Sequence, residues 1–275
     1  MAGKLYVVGT PIGNLSDFSP RAVETLEAVD FIAAEDTRVT MKILNHFGIR
    51  KPQVSYFEHN LREKGIQIIE RILAGENCAI VTDAGMPCIS DPGEDLVRLC
   101  AENNIETVVV PGPSAVISAL AVSGLVTSRF AFEGFLTVSS KKRRYAHLEK
   151  IKNDDRTLIF YEAPHKLRDT LDDLLAVLGD RKISLCRELT KLHEEVRRTT
   201  ISEAIAYYKE NNPKGEFVLV VEGATETEPE EQFTLEQAIE MARQLRAEGL
   251  SAADAAKQAA KVTGFKKNEI YKGGL

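Results

Sequence analysis

The chain has little that would tie it to a membrane, a metal or an oxidising compartment. Its 275 residues include four cysteines, Cys78, Cys88, Cys100 and Cys186, and no two of them form a C-x-x-C pair. Cys78 falls inside an apolar run, so the set reads as reduced, buried thiols of a cytoplasmic protein. The five histidines are scattered, with neither H-E-x-x-H nor Cys/His ligand spacing, and no metal site is expected. No apolar run approaches the roughly 18 residues of a membrane span. The opening MAGKLYVVGT enters a strand directly, without the pattern of a signal peptide. A net charge of −6 excludes a generally basic nucleic-acid coat. There is no G-x-G-x-x-G, since Gly9 and Gly13 stand four apart, and no Gly-Lys-Ser/Thr of a phosphate-binding loop. A nicotinamide dinucleotide or a nucleoside triphosphate is therefore disfavoured.

What is present is an alternation of short apolar runs with helical spacing. Residues 4–8, 29–34, 53–57, 78–81 and 105–110 read as strands, with helices between them at 39–47, 61–74 and 94–103. Ser19 and Pro20 open another helix, one as cap and the other at the first position. Five strands alternating with helices imply a mostly parallel, helix-covered sheet. After a break at 111–114 and an apolar helix at 115–122, a second α/β pattern runs through strands at 129–135, 156–161, 183–188, 195–200 and 216–221. The expected organisation is an α/β domain over 1–113, a second over 114–224, an acidic linker at 225–232 and a small helical module over 233–275. That module has Thr234 and Ser251 as helix caps and resembles a helix-turn-helix piece.

Three strand ends of the first half carry Gly/Pro loops, at 9–14, 83–93 and 111–114. In a parallel sheet they share one edge and can line one crevice. The carboxylate and amide character of Thr82-Asp83-Ala84-Gly85 suits hydroxyls and amines better than a polyphosphate. A nucleoside-bearing cofactor with little or no phosphate fits. The second half adds strand-end clusters at 161–165 and 187–191, where any one charged member serves equally well as a structural ion pair. His165 reads as a neighbour of a helix cap, and His193 as exposed. Between 137 and 152 stand Lys141, Lys142, Arg143, Arg144, Lys150 and Lys152 against Glu149 alone. This is either a solvated helix start or a phosphate-contacting patch, which Arg197, Arg198, Lys266 and Lys267 could extend.

In order along the chain stand GTPIGNL (9–15), AEDTR (34–38), TDAGMPCISDPG (82–93), VPGPSA (110–115), EGF (133–135), YEAPHK (161–166) and RELTKLHEE (187–195). In these motifs the chain resembles the 16S rRNA (cytidine-2′-O)-methyltransferase family, a branch of the tetrapyrrole-methylase-like (class III) methyltransferases. The resemblance covers about residues 4–223 and extends to the tail. The tetrapyrrole enzymes usually have G-x-G-P-G-D in the first loop; residues 9–14 here read Gly-Thr-Pro-Ile-Gly-Asn, which suits the RNA branch. The resemblance implies two α/β domains with S-adenosylmethionine in the cleft between them, a homodimer, and 2′-O methylation of a cytidine in the decoding region of 16S rRNA. The cofactor contacts it implies are Pro11, Asp83, Ala84, Gly85, Ser114, Ala115, Tyr161, Glu162, Leu189 and Thr190. Rival readings are a tetrapyrrole or protein methylase on the same fold, and a non-catalytic RNA-binding or assembly factor.

Methyl transfer from a sulfonium needs in-line positioning of the acceptor oxygen and removal of its proton. The expected candidates are Glu162 as base and Lys191 as its electrostatic partner, with Asp36 and Arg38 as rival positioning groups, because all four fall at strand ends facing one cleft.

Overall fold

The structure is a computed structural model that describes residues 1–136, 140–225 and 233–273. It divides into two compact units, Met1–Ala224 and Thr225–Leu275.

The first unit opens with five strands, β1 (Leu5–Val8), β2 (Phe31–Ala34), β3 (Gln53–Ser55), β4 (Cys78–Val81) and β5 (Thr107–Val110), all parallel in the order β3-β2-β4-β1-β5. Every residue of β2 and β4 is buried. Both faces of the sheet are covered, so these strands read as continuous apolar runs rather than alternating ones. Leu5, Phe31, Cys78 and Ile80 pack on one face, with residues of α3 (Leu61–Leu73) and α4 (Glu94–Glu102). Val8, Ile32, Ala79 and Val81 pack on the other, with α1 (Pro20–Ala28) and α2 (Thr37–His46). Ser19 caps α1, its hydroxyl accepting from the Ala22 amide, with Pro20 at the first turn where no N–H is needed. Helix α2 begins earlier than residue 39 because the Asp36 carboxylate accepts from the Arg38 amide and fixes the start there.

Five further strands form a second sheet in the order β6-β7-β10-β8-β9: β6 (Phe130–Phe135), β7 (Thr157–Glu162), β8 (Lys182–Arg187), β9 (Glu195–Thr200) and β10 (Phe217–Val221). Only the β6–β7 pair is parallel; β10 runs antiparallel to both β7 and β8, and β9 runs antiparallel to β8. One face carries α5 (Ala115–Ser123) through Val116, Ala119 and Leu120 against Ile159, Val218 and Val220. The other carries α6 (Lys141–Ile151), α7 (Leu167–Leu178) and α8 (Ile201–Glu210) over Leu158, Phe160 and Leu219.

The second unit holds α9 (Leu235–Ala247), α10 (Ala252–Thr263) and α11 (Lys267–Lys272), closed around Ala238, Ala242, Ala256, Ala259 and Ile270. Thr234 and Ser251 cap its first two helices through their hydroxyls. The expected acidic linker lies outside the described residues except for Thr225. Among the described residues no helix is long and apolar enough to cross a membrane.

Candidate active site

The loops after β1, β4 and β5 meet at the carboxyl edge of the first sheet, and backbone geometry ties them together. Thr10 and Gly85 exchange both amide-to-carbonyl hydrogen bonds, at 2.8 and 3.1 Å. Gly9 faces Gly112 so closely that a Cβ on either would lie 2.7–2.8 Å from the other's backbone. Only glycine permits that approach, since neither backbone can retreat. The connection from β4 to α4 carries Cys88 and Ser90 with φ of 72° and 64°. That left-handed backbone persists only where the surroundings over-determine it.

This edge faces the end of the second sheet across a cavity of about 450 Å³, a size suited to a small organic ligand. Ile12, Ala84, Gly85, Met86 and Asp91 line it from the first sheet, and Ser114 and Ala115 at the start of α5. Phe135, Tyr161, Leu189, Lys191, Phe217 and Val218 line it from the second. The Tyr161 ring meets Phe132 and Phe135 with centroids 4.9 and 5.5 Å away. Burial pushes the Tyr161 phenol up to about 12, with the nearby Asp91 carboxylate adding to the rise.

The expected cofactor residues divide. Ala84, Gly85, Ser114, Ala115, Tyr161 and Leu189 line the cavity, with Ser114 also capping α5 by accepting from the Ile117 amide. Pro11 is buried and does not line it; its neighbour Ile12 does. Asp83 stands behind the wall, its carboxylate accepting from the Asp36 amide at 3.1 Å. Burial and the charge of Glu35 hold the Asp83 carboxyl above the usual range. Thr190 also lies behind the wall, at φ 67°, with its buried hydroxyl against Gly13.

The four expected catalytic residues stand in three different settings. Glu162 belongs to β7, where residues two apart share a face, so it follows Leu158 and Phe160 onto the α7 side. There its carboxylate accepts from the Thr170 hydroxyl and the Ala163 amide. It borders the cavity, but its acid group is engaged elsewhere. Asp36 and Arg38 pair with each other at 2.6 Å and do not line the cavity. The hydrogen bonds from Arg38 hold the Asp36 carboxyl down at about 2. Lys191 does reach the cavity. Its ammonium is claimed by Glu216 at 2.7 Å and Glu188 at 3.0 Å, which outweigh the effect of burial and raise its pKa. Glu188 itself is held low, first by the Glu216 amide and then by Lys191.

The basic residues sort in the same way. Lys141, Lys142 and Arg143 are exposed on the first turn of α6. Arg144 is not part of that surface: it is 6% exposed, its Nε lies 2.6 Å from an Asp173 oxygen, and its Nη2 donates to Thr170 at 2.6 Å. Arg197 lies 3.6 Å over the Tyr207 ring and pairs with Glu195. Arg198 donates to the Val122 and Ser123 carbonyls, closing the end of α5. Both arginines make contacts within the fold, Arg197 half-buried and Arg198 still exposed. Lys266 and Lys267 are exposed in the second unit.

Sequence reasoning gives no individual cavity role to Ile12, Met86, Asp91, Phe135, Glu188 or Glu216. The first five stand inside the loops and ordered motifs it singles out; nothing in the sequence marks Glu216. Among the described residues no cluster of His, Cys, Asp and Glu could hold a metal ion.

Comparison with known proteins agrees with this architecture. The family described as tetrapyrrole (corrin/porphyrin) methylases matches residues 4–205, and one described as the RsmI C-terminal HTH domain matches 234–275. A Synechocystis sp. protein named ribosomal RNA small subunit methyltransferase I is 49% identical over 270 residues, covering 98% of this chain and 96% of its own. The Escherichia coli O157:H7 protein of the same name is 47% identical, covering 99% and 95%. A Thermotoga maritima relative of that name is 48% identical over 221 residues, covering 80% of this chain and 99% of its own. Among solved structures, a diphthine synthase superposes with a TM-score of 0.60 at 16% identity, over 81% of this chain and 91% of its own. A uroporphyrin-III-C-methyltransferase from Thermus thermophilus gives 0.55 at 19%, over 79% and 94%; these two likenesses establish the fold alone. On its matches over nearly the whole length, the chain belongs to the ribosomal RNA small subunit methyltransferase I family, within the tetrapyrrole methylase fold.

Proposed function

We propose that the protein transfers a methyl group from S-adenosylmethionine to the ribose 2′ hydroxyl of a cytidine in the decoding region of small-subunit ribosomal RNA, acting in the cytoplasm as a homodimer. The observation that carries the RNA reading is identity near one half, end to end, with relatives named for that RNA.

The cavity's own chemistry supports the cofactor. Lys191 is the one cationic side chain among its lining residues, and two carboxylates already neutralise it. Nothing there would hold a polyphosphate. A largely apolar wall with an acid to spare suits a nucleoside carrying positive charge. Ala84, Gly85, Ala115, Tyr161 and Leu189 would hold it, and when bound it supplies an already activated methyl. The protein's remaining tasks are to orient the acceptor and take its proton. Lys141, Lys142 and Arg143 are placed to contact RNA phosphates. Ile117, Val122, Val126 and Phe130 are exposed apolar side chains in one short stretch, which a second copy would cover.

The test is incubation of methyl-labelled S-adenosylmethionine with small subunits from a strain lacking this protein. Label on a cytidine ribose, located by nuclease digestion and mass analysis, is expected. Label on a base, on a tetrapyrrole or on a protein instead would overturn the reading.

A further inference from the structure

We propose that Phe135 and Ile89 form the seat of the acceptor base, holding it at the mouth of the cavity so that its ribose reaches the methyl donor; this rests on the function proposed above. Both side chains line the cavity, yet Phe135 is 59% exposed and Ile89 50%. The far wall differs: Leu189, Phe217 and Val218 are buried. Phe135 and Ile89 therefore stand at the rim, one at the end of β6 and the other in the loop between β4 and α4. The two segments come close together, since a Cβ on Gly134 would lie 3.6 Å from Ser90 Oγ.

The backbone sets the aim of Phe135. In a regular strand Phe132 and Phe135, three apart, would point to opposite faces. Here Phe132 stands opposite Ile159, Gly134 opposite Phe160 and Phe135 opposite Tyr161, which leaves Glu133 as the extra residue of a bulge. Ile159 and Tyr161 share a face, so both phenylalanine rings reach the Tyr161 ring. The bulge is anchored twice. Gly134 takes a φ of 64°, a conformation that suits glycine. The Glu133 carboxylate lies 2.7 Å from the His147 ring on α6. Without the extra residue, Phe135 would turn away from the cavity. A ring aimed by a bulge, backed by Tyr161 and left largely uncovered is a preformed platform for a flat partner.

The surroundings identify that partner. Ser90 borders both this cavity and a second, more open depression with Glu58, Glu94 and Arg98, so a large acceptor reaches the cavity from the side of the rim. Lys141, Lys142 and Arg143 open α6 six residues after Phe135, within about 22 Å along the chain, where they can hold phosphates of the same strand. The flat group that a polynucleotide offers beside its reacting ribose is the base. Unpaired RNA bases are held by stacking on aromatic side chains, and every base has a face to stack. Ile89 adds apolar cover beside the ring.

The test uses the full-length protein and small subunits from a strain lacking it. Phe135→Leu should raise KM for the subunit at least about fivefold, the low end for a base stacked on an aromatic ring, with kcat falling less. Phe135→Tyr, which keeps the ring, should recover most of that loss. Ile89→Ala should raise the same KM at least about threefold. Cofactor affinity by calorimetry should stay within about threefold of the parent, and the melting temperature should hold, because both side chains are exposed. On subunits reconstituted with RNA lacking the base at the methylated position, the parent and Phe135→Leu should share one KM, since the ring then has no partner to lose. A KM raised less than fivefold by Phe135→Leu, or unchanged by Ile89→Ala, overturns the assignment, as does a penalty that persists on the abasic RNA. A tenfold loss of cofactor affinity overturns it too, placing Phe135 in the cofactor's own wall. A parent that binds cofactor yet labels no small subunit overturns the function on which the seat rests, and the seat with it.

Discussion

Replacing Arg144 by alanine should damage the fold, whereas replacing its neighbour Arg143 should damage only RNA binding. The two arginines are adjacent in one basic run, but helical geometry separates them. Arg144 shares the inner face of α6 with Leu148 and Ile151. Its side chain is 7% exposed against 12% for Asp173, and its other partner, Thr170, donates in turn to Glu162. Removing one member of a buried pair leaves the other charge unpaired, at a cost of about 3–5 kcal/mol. In a unit of this size about 1 kcal/mol moves the melting temperature by roughly 2–4 °C, so a fall of about 6–20 °C is expected. Arg143→Ala should stay within about 0.5 kcal/mol of the parent. Neutralising Lys141, Lys142 and Arg143 together should lower the slope of log affinity against log salt by about 2–3, close to one for each phosphate no longer neutralised. Calorimetric unfolding and RNA titrations at several salt concentrations measure both effects. Arg144→Met with Asp173→Leu should recover much of the stability, since an apolar pair leaves no orphaned charge. If Arg144→Ala melts like the parent, or shifts the salt slope as Arg143→Ala does, the placement of Arg144 is wrong.

Other perturbations bear on the cavity wall and on pH. A Cβ at Gly13 would lie 2.5 Å from Lys191 Cγ and 2.8 Å from Thr190 Oγ1; Gly13→Ala should weaken cofactor binding at least about tenfold by calorimetry with circular dichroism unchanged, because the turn carrying Leu189 must shift. Lys191→Ala frees Glu188 and Glu216 from their shared partner and should lower turnover at least about tenfold at limiting cofactor. Recovery at saturating cofactor would identify a wall-holding role; a persistent deficit would return Lys191 to the chemistry. Asp36, held at about 2 by Arg38, contributes stability above its unfolded value and loses it as pH falls through the folded one. Arg38→Ala should therefore move the midpoint of acid unfolding, followed by circular dichroism, to higher pH.

The first sheet is legible because each parallel strand is a short, wholly apolar run closed by a turn, and because Ser19, Pro20 and Asp36 mark helix starts through local chemistry. The meeting of the three Gly/Pro loops follows from strand direction alone. The direction of the second sheet does not: nothing local in Phe217–Val221 reveals that it lies between β7 and β8. Glu162 and Arg144 show a different failure. Both carry charge, and charge suggests a surface or a site. The period of two from Leu158 through Phe160, and the spacing from Arg144 to Leu148 to Ile151, already place each on an inner face. Asp91 does not stand out within its loop, since the groups that face it, Glu35 among them, lie far off in the chain.

The position of β10 has a consequence for how the molecule is made on the ribosome. The first sheet has all its strands once residue 110 has emerged, and chains generally begin folding from that end. The second sheet stays in two halves, with the facing rims of β7 and β8 bare, until residue 221 arrives to bridge them. Unpaired rims of that kind invite association between nascent chains. Phe217 and Val218, on the bridging strand, also close one side of the cavity. The ligand chamber is thus finished among the last parts of this unit to be synthesised, and a chain stalled before that point can hold neither a complete second sheet nor a complete chamber.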